Sequence, residues 1–449
     1  MNIGAPDSAE RELIQSRVLQ MQTKLHRWAA ADTGRCFGDL FNLVYDPDFL
    51  AMAWNRVRGN KGRRAAGVDG IAPVDIKTPE IFLGALREQL KTRSFRPIRV
   101  REKSIPKENG KVRRLGIPTV ADRVVQASLA LVLEPIFEAD FKPCSYGFRP
   151  NRRAQDAVSE IRFLTSPSRK YDWVFEADIK ACFDHIDHGA LMGRVSQRIK
   201  DKRILRLIRA FLKAGILSED RKARETITGT PQGGILSPLL ANIALSALDE
   251  HFTRKWEALG APWQRAKHCR AGGCAMRIIR YADDFVVLVR GTRRDAEALW
   301  PEVAALLAPM GLSLSVEKTR VCHIESGFDF LGWHIQRRRW QGHHGKQAVY
   351  TYPSKKALTS VMRKVRSLTR RNKHRSLNDL LRHVNRVLRG WCEYFRYGAS
   401  AKTFRYLDYY TWHRVFRWIW KRHAKIGRKR LVRRELPNWK IAQSGLCLF

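Results

Sequence analysis

Between Arg277 and Arg290 the chain reads RIIRYADDFVVLVR, two short runs of β-branched, leucine and aromatic residues on either side of the adjacent aspartates Asp283 and Asp284. Runs of this kind pair as antiparallel strands, here Ile278–Tyr281 and Phe285–Val289, so the two carboxylates are confined to a hairpin tip. An Asp-Asp pair there is ordinary turn chemistry. It also suits hard divalent cations, because Mg²⁺ takes oxygen ligands and typically uses one or two carboxylates together with substrate phosphates. The second reading requires a further carboxylate elsewhere in the chain.

That carboxylate stands in WVFEADIKACFDHI (173–186). Strand alternation puts Val174, Glu176 and Asp178 on one face and Phe175, Ala177 and Ile179 on the other, which leaves Asp178 at the end of an otherwise buried strand. A lone aspartate in that position also serves as a turn or helix cap, so its force comes from partnership with the Asp283–Asp284 hairpin. A third segment, TPQGGILSPLLANIALSALDE (230–250), has Ser237 as N-cap and Pro238 at the first helical position, with Leu239, Leu240, Ile243 and Leu248 forming an apolar face. Gln232, Gly233 and Gly234 precede it, and residues without Cβ permit close approach by a ligand or simply make a flexible helix entry.

The partner is indicated by charge. The sequence holds 84 Lys and Arg against 43 Asp and Glu, a formal net charge of +41, spread from RVRGNKGRR (56–64) to KRHAKIGRKRLVRR (421–434). A surface of that kind predicts a polyanion with a large footprint, hence nucleic acid. A membrane surface is the alternative and is not expected, since no amphipathic segment ends in a hydrophobic anchor and no apolar run approaches the ~18 residues a spanning helix needs. The polar start MNIGAPDSAERELIQ is unlike a secretory signal and predicts a cytoplasmic protein. Eight scattered cysteines predict reduced thiols. Cys269 and Cys274, with His268 beside them, are the closest set and read either as a zinc-binding loop lacking its second pair or as a plain Gly-containing loop.

At 449 residues the chain is long enough for about three units. Residues to about 85 read as helical, 95–118 as a basic hairpin turning at Asn109-Gly110, and 119–163 as helical with a Pro/Gly break at 144–153. From 173 to about 335 short strands alternate with helices, an α+β pattern, and after 352 the chain is helical and very basic.

In one order the chain carries RRLGIPTVADRVVQ (113–126), SYGFRPNRRAQDAV (145–158), ADIKACFDHI, TPQGGILSPLLANI, YADD, GLSLSVEKTRV (311–321) and FLGWHI (330–335). Together these resemble the bacterial group II intron-encoded reverse transcriptase/maturase family, over about residues 50–425. The resemblance implies an α+β, right-hand polymerase fold: a helical extension (1–85), fingers and palm with antiparallel sheet (86–338), an all-helical thumb/maturase domain (339–425) and a short basic tail (426–449). It implies an RNA-directed DNA polymerase that copies RNA into cDNA from a DNA primer with dNTPs. It implies as well a maturase that assists splicing of its group II intron RNA as a ribonucleoprotein and supports intron mobility, with target DNA as a further partner.

Residue by residue, the resemblance implies that Asp178, Asp283 and Asp284 hold two Mg²⁺ ions, for which Mn²⁺ can substitute. Ile179, Phe183, Gln232 and Gly233 would line the incoming nucleotide, Phe183 rejecting a ribose 2′-hydroxyl, and Lys107 and Arg113 would hold its triphosphate. Lys318 matches a lysine that protonates the pyrophosphate leaving group, and Phe330, Leu331 and Gly332 match the primer grip. Core packing for Phe183 and a solvated side chain for Lys318 are the plain alternatives.

In the helical end Leu377, Leu380, Leu381, Val384, Leu388, Trp391 and Phe395 form one apolar stripe, with Ser376 and Asp379 as a capping pair. Outside it Arg363, Lys364, Arg366, Arg370, Arg371 and Lys373 would bind RNA, or form a solvated face. The aromatics of FRYLDYYTWHRVFRWIWKRH (404–423) read mostly as helix core. After residue 425 no His-Asn-His pattern or paired cysteines follow, so no endonuclease domain is expected. The alternatives from other classes are an RNA-binding splicing factor with a vestigial polymerase site, and a reverse transcriptase recruited to host defence or repair.

Overall fold

The structure, a computed structural model, describes residues 8–106, 112–217, 223–224, 228–229, 233–339, 346–370, 376–423, 427, 430, 432, 441–443 and 446–449. Helices α1 (Ser8–Ala31), α2 (Phe41–Val44), α3 (Pro47–Gly59) and α4 (Pro79–Lys91) make up the first block, as helical periodicity predicts. Asp46 opens α3 by accepting from the backbone N–H groups of Asp48 and Phe49, with Pro47 in the first turn. The basic hairpin follows as β1 (Val100–Pro106) and β2 (Val112–Ile117), antiparallel with Pro106 opposite Val112. Its Asn109-Gly110 turn lies outside the described residues.

Helices α5 (Val120–Glu138) and α6 (Ala154–Leu164) lead into β3 (Trp173–Asp178). Next come α7 (Cys182–His185), α8 (His188–Arg198), α9 (Lys202–Lys213) and the short strands β4 (Ile216–Leu217) and β5 (Ala223–Arg224), which extend the β1–β2 sheet in the order β2-β1-β4-β5. After α10 (Ser237–Ala258) and α11 (Pro262–Arg270) the chain forms the hairpin β6 (Ala275–Tyr281) and β7 (Asp284–Arg290). It continues through α12 (Arg293–Glu297) and α13 (Leu299–Leu307) to β8 (Arg320–His323). The central sheet has the order β6-β7-β3-β8, antiparallel throughout.

The strand alternation read from sequence describes this sheet well. Phe175 and Ala177 of β3 and Phe285, Val287 and Val289 of β7 face a large core shared with α5, α8, α10 and α13, while Val174, Val286 and Leu288 face a smaller core with α6. A sheet covered on both faces has its functional groups only at strand ends and loops. That is where Asp178 and the Asp283–Asp284 tip lie.

Beyond it, β9 (Phe328–Phe330), β10 (Trp333–Arg339) and β11 (Gln347–Pro353) form a third antiparallel sheet. Strand β10 runs through residue 338, where the sequence reading sets a domain limit, and pairs along its whole length with β11. Helices α14 (Lys355–Leu368), α15 (Leu377–Phe395) and α16 (Ala401–Arg422) then enclose their own core of Val361, Val365, Leu380, Leu381, Val384, Leu388, Leu407, Val415 and Ile419. Ser376 caps α15 by accepting from the Asp379 N–H, as expected. The short strands β12 (Ala442–Gln443) and β13 (Leu446–Cys447) pair with each other near the end of the chain. The fold is α+β, its described strands pairing antiparallel except for β1 and β4, which run parallel, with a helical C-terminal region.

One local expectation is corrected. Ser237 is not the N-cap of α10: it lies within the helix, and the cap is Leu236, which makes no side-chain cap bond. Leu236 is buried in the large core, so packing fixes this helix entry where a hydroxyl cap was expected.

Candidate active site

Asp178 ends β3 and stands directly opposite Asp284, the first residue of β7, while Tyr281 of β6 faces Asp284 from the other side. Between Tyr281 and Asp284 the turn consists of Ala282 and Asp283, and Ala282 has φ +58°. Two-residue hairpin loops need such backbone to match the twist of their strands, and glycine usually supplies it. An alanine in its place carries strain of about 1 kcal/mol or more, which neighbouring contacts must offset.

The loop 311–319 completes the rim. Leu314 bridges to Ile179, the Ser315 N–H donates to the Asp178 carbonyl, and the chain turns back through Thr319, whose N–H donates to Ser315 O. This places Lys318 Nζ 2.9 Å from Asp178 Oδ2. The turn between β9 and β10 enters from another side, with Leu331 (φ +51°) and Gly332 (φ +81°) in left-handed conformations. It is held by Tyr394 Oη on Leu331 O at 2.9 Å and by the Ser354 N–H on Gly332 O at 2.9 Å. Asp178, Asp284, Lys318, Phe330 and Leu331, with Glu176 and Asp329, thus line one cleft of about 130 Å³.

The carboxylates disfavour one another's charge. Burial, then the charge of Asp178, pushes Asp283 above the usual carboxylate range, against the pull of Arg113 and Lys318. Asp284 reaches solvent at the rim, yet desolvation by its crowded neighbours, followed by the charges of Asp283 and Asp178, pushes it up to about 6. Asp283 and Asp284, both pushed up beside the charge of Asp178, make with it a donor set of carboxylate oxygens that a hard divalent cation would stabilise. Among the described residues no three His, Cys, Asp or Glu side chains converge into a closed ligand cluster. Asp178 is instead paired with the Lys318 ammonium, and both line the cleft.

Residues 105–335 match the family described as reverse transcriptase (RNA-dependent DNA polymerase), and residues 358–436 match the group II intron, maturase-specific domain. The chain belongs to the group II intron-encoded reverse transcriptase/maturase family. It is 35% identical over 376 residues to protein YkfC of Escherichia coli (strain K12), covering 78% of this chain and 97% of that one. With the group II intron-encoded protein LtrA of Lactococcus lactis subsp. cremoris it shares 32% identity over 354 residues, covering 68% of this chain and 57% of the relative. Nuclear intron maturase 1 of Arabidopsis thaliana is 28% identical over 305 residues, 51% of this chain and 42% of the relative. The chain therefore spans nearly all of YkfC and about half the length of the other two. By its matched domain it is an RNA-directed DNA polymerase, an activity that depends on divalent metal, and RNA is the partner of both domains.

In this reverse transcriptase the other sequence-selected residues are distributed unevenly. Arg113 of β2 lies within the electrostatic reach of Asp283. Ile179 is buried at the end of β3. Phe183 sits in α7 and packs its ring partly against the large core. Its neighbour Cys182 is buried within the field of Asp283, and both effects push its thiol up to about 12. Gly233 (φ +111°) packs against β2: a Cβ there would meet Gly116 O at 2.6 Å. Lys107 and Gln232 lie outside the described residues.

Arg363, Lys364, Arg366 and Arg370 are exposed on or beside α14, and Arg371 and Lys373 lie outside the described residues. In α16, Leu407, Phe416 and Trp418 are core as expected, whereas Tyr406, Tyr409 and Trp420 are exposed. Cys269 lies in α11 and Cys274 just ahead of β6; both are free thiols. No helix of the described chain is long and apolar enough to cross a membrane.

Sequence reasoning passed over Ser145, Gly147, Asn242, Asp249 and Arg280, which pack behind the Ala282–Asp283 turn. The available signal was polarity in apolar company. Arg280 interrupts the strand RIIRY and Asn242 the helix face LLANIAL, and a charge buried there requires a built partner.

Proposed function

We propose that this chain copies RNA into cDNA by adding dNTPs to a DNA primer in the cleft lined by Asp178 and Asp284, with Asp283 next to it in the turn. The observation that carries the proposal is the convergence of three separate segments there: the end of β3, the β6–β7 turn and the 311–319 loop. Asp178, Asp283 and Asp284 would hold two Mg²⁺ ions, or Mn²⁺ in their place. When bound, these cations neutralise triphosphate charge and favour the ionised primer 3′-hydroxyl.

The chain's own groups perform the rest. Arg113, together with Lys107, would bind the triphosphate with permanent positive charge. The Phe183 ring would set the space beside the nucleotide's C2′, and Phe330, Leu331 and Gly332 would align the primer end. As the 3′-oxygen bonds to the α-phosphorus and pyrophosphate leaves, Lys318 Nζ would hand a proton to the departing oxygen and release Asp178 in doing so.

The helical domain, through Arg363, Lys364, Arg366, Arg370, Arg371 and Lys373, would grip the phosphates of its own intron RNA and assist its splicing as a ribonucleoprotein, with mobility into target DNA as the downstream step. We place this work in the cytoplasm and assign Lys318, the nucleotide-binding set and the domain limits on the same footing. The test is primer extension by the purified chain on an RNA template, with dNTPs and Mg²⁺. Duplex binding without any nucleotide addition would refute the reading.

A further inference from the structure

Arg280 and Asp249 are both fully buried, and every donor of the guanidinium has a partner. Nε donates to Asp249 Oδ1 and Oδ2 at 2.9 and 3.1 Å, and Nη2 to Asp249 Oδ2 at 2.5 Å and Ser145 Oγ at 2.7 Å. Nη1 donates to Asn242 Oδ1 at 2.9 Å and to the Ala282 carbonyl at 3.0 Å. Asn242 in turn donates to Gly147 O at 2.8 Å. Gly147 lies directly against the Tyr281–Ala282 backbone, where a Cβ would collide with Ala282 N.

We propose that Arg280 is a positioning residue for the reaction: through the Ala282 carbonyl it holds the strained turn that sets Asp284 in the cleft and Asp283 beside Asp178. Ala282 has the one positive φ in the YADD turn, and its carbonyl precedes Asp283 by a single peptide bond. Gly147 and Asn242 close the turn from behind, so its strained conformation is over-determined. Were Arg280 only a brace for the fold, its pairing with Asp249 would suffice, and the bond to the turn carbonyl would be incidental.

The inference rests on the proposed metal-binding role of Asp178, Asp283 and Asp284. Its test uses the full-length protein and two variants. Arg280→Lys keeps the charge beside Asp249 but replaces a five-donor fork with a three-donor ammonium. Asn242→Ala keeps the Arg280–Asp249 pair but removes the Asn242 acceptor that holds Arg280 Nη1 beside the Ala282 carbonyl, together with the tie to Gly147, so it carries the test should Arg280→Lys fail to fold.

Two readouts are taken on each protein: Mn²⁺ binding followed by electron paramagnetic resonance, and single-nucleotide extension resolved into kcat, KM for the dNTP and the Mg²⁺ concentration for half-maximal rate. Loss of a group that orients metal-holding carboxylates typically costs about 10- to 100-fold in metal affinity or activity. The expected result is a shift of that size in the Mn²⁺ midpoint and in kcat, partly restored by high Mg²⁺, with KM for the dNTP within about threefold of the parent. A variant that melts at lower temperature but keeps the parental Mn²⁺ midpoint and kcat would overturn the positioning role. A parent that neither binds Mn²⁺ nor extends a primer would overturn the metal-site reading itself, and the inference with it.

Discussion

Lys318 donates to the Asp178 carboxylate at 2.9 Å across 140 residues of sequence, with the lysine 63% and the aspartate 27% exposed. An exposed pair of this kind contributes little to stability, ~1 kcal/mol at most. Its placement in the cleft suits the proposed role: the ammonium would screen Asp178 before cations bind and then be at hand for the leaving pyrophosphate.

Two substitutions separate these uses of Lys318. Arginine keeps the charge but cannot release a proton at working pH. If Lys318 is the general acid, Lys318→Arg and Lys318→Ala should both slow nucleotide addition by roughly 100-fold or more, the usual scale of such catalysis. Single-turnover addition measures this, and a parental rate for Lys318→Arg would leave only the screening role.

Asp122, buried at the first turn of α5, predicts a pH effect on stability. Burial pushes its carboxyl up to about 6 despite bonds from Thr119 and the Ile98 N–H. The folded chain thus holds this proton more tightly than the unfolded chain, so the contribution of Asp122 to stability falls as pH rises from about 4 through 6. Asp122→Asn carries no titrating charge there and should be more stable than the parent above pH 7, by up to ~2 kcal/mol, with the advantage vanishing near pH 4. Melting temperatures of both proteins across that range check the sign.

Phe183→Val should raise incorporation of ribonucleotides relative to deoxyribonucleotides by about 10- to 100-fold, the scale on which a pocket discriminates a single hydroxyl. It should also lower stability by ~1 kcal/mol, because the ring packs partly against the large core. Competition between matched rNTP and dNTP in single-nucleotide extension decides the matter, and unchanged discrimination would leave Phe183 as core alone.

Reversing charges among Arg363, Lys364, Arg366 and Arg370, together with Arg371 and Lys373, should flatten the salt dependence of RNA binding. Each lost phosphate contact should remove roughly 0.7 to 0.9 from the log–log slope. A variant with the parental slope would make this helix a solvated face.

The sequence shows the cleft's carboxylates because their alternation in β3 and their place between two apolar runs are local patterns. The cap and the apolar stripe of α15 are legible for the same reason. What lies behind the turn is not local: Arg280 draws on Ser145 from 135 residues away and on Asp249 from 31. In the sequence it is merely an arginine in a strand. Gly233 was legible as a position without room for a Cβ, but its neighbour, Gly116 O, belongs to a strand that folds over it from more than a hundred residues upstream. Likewise the entry of α10 was assigned to a hydroxyl cap when burial of Leu236 governs it.

The most direct test of the account replaces Asp283 with asparagine, which keeps nearly the same volume and removes the charge. Because burial and Asp178 already disfavour that charge, the cation-free melting temperature should be unchanged or slightly higher, and RNA binding should be parental. Primer extension on an RNA template in Mg²⁺ should fall by several kcal/mol of transition-state stabilisation, roughly a thousandfold or more. Splicing of the chain's own intron RNA, measured on the same preparation, should stay near the parental level, because RNA carries out that chemistry. Extension at the parental rate would mean that YADD is only a hairpin turn and would contradict the account.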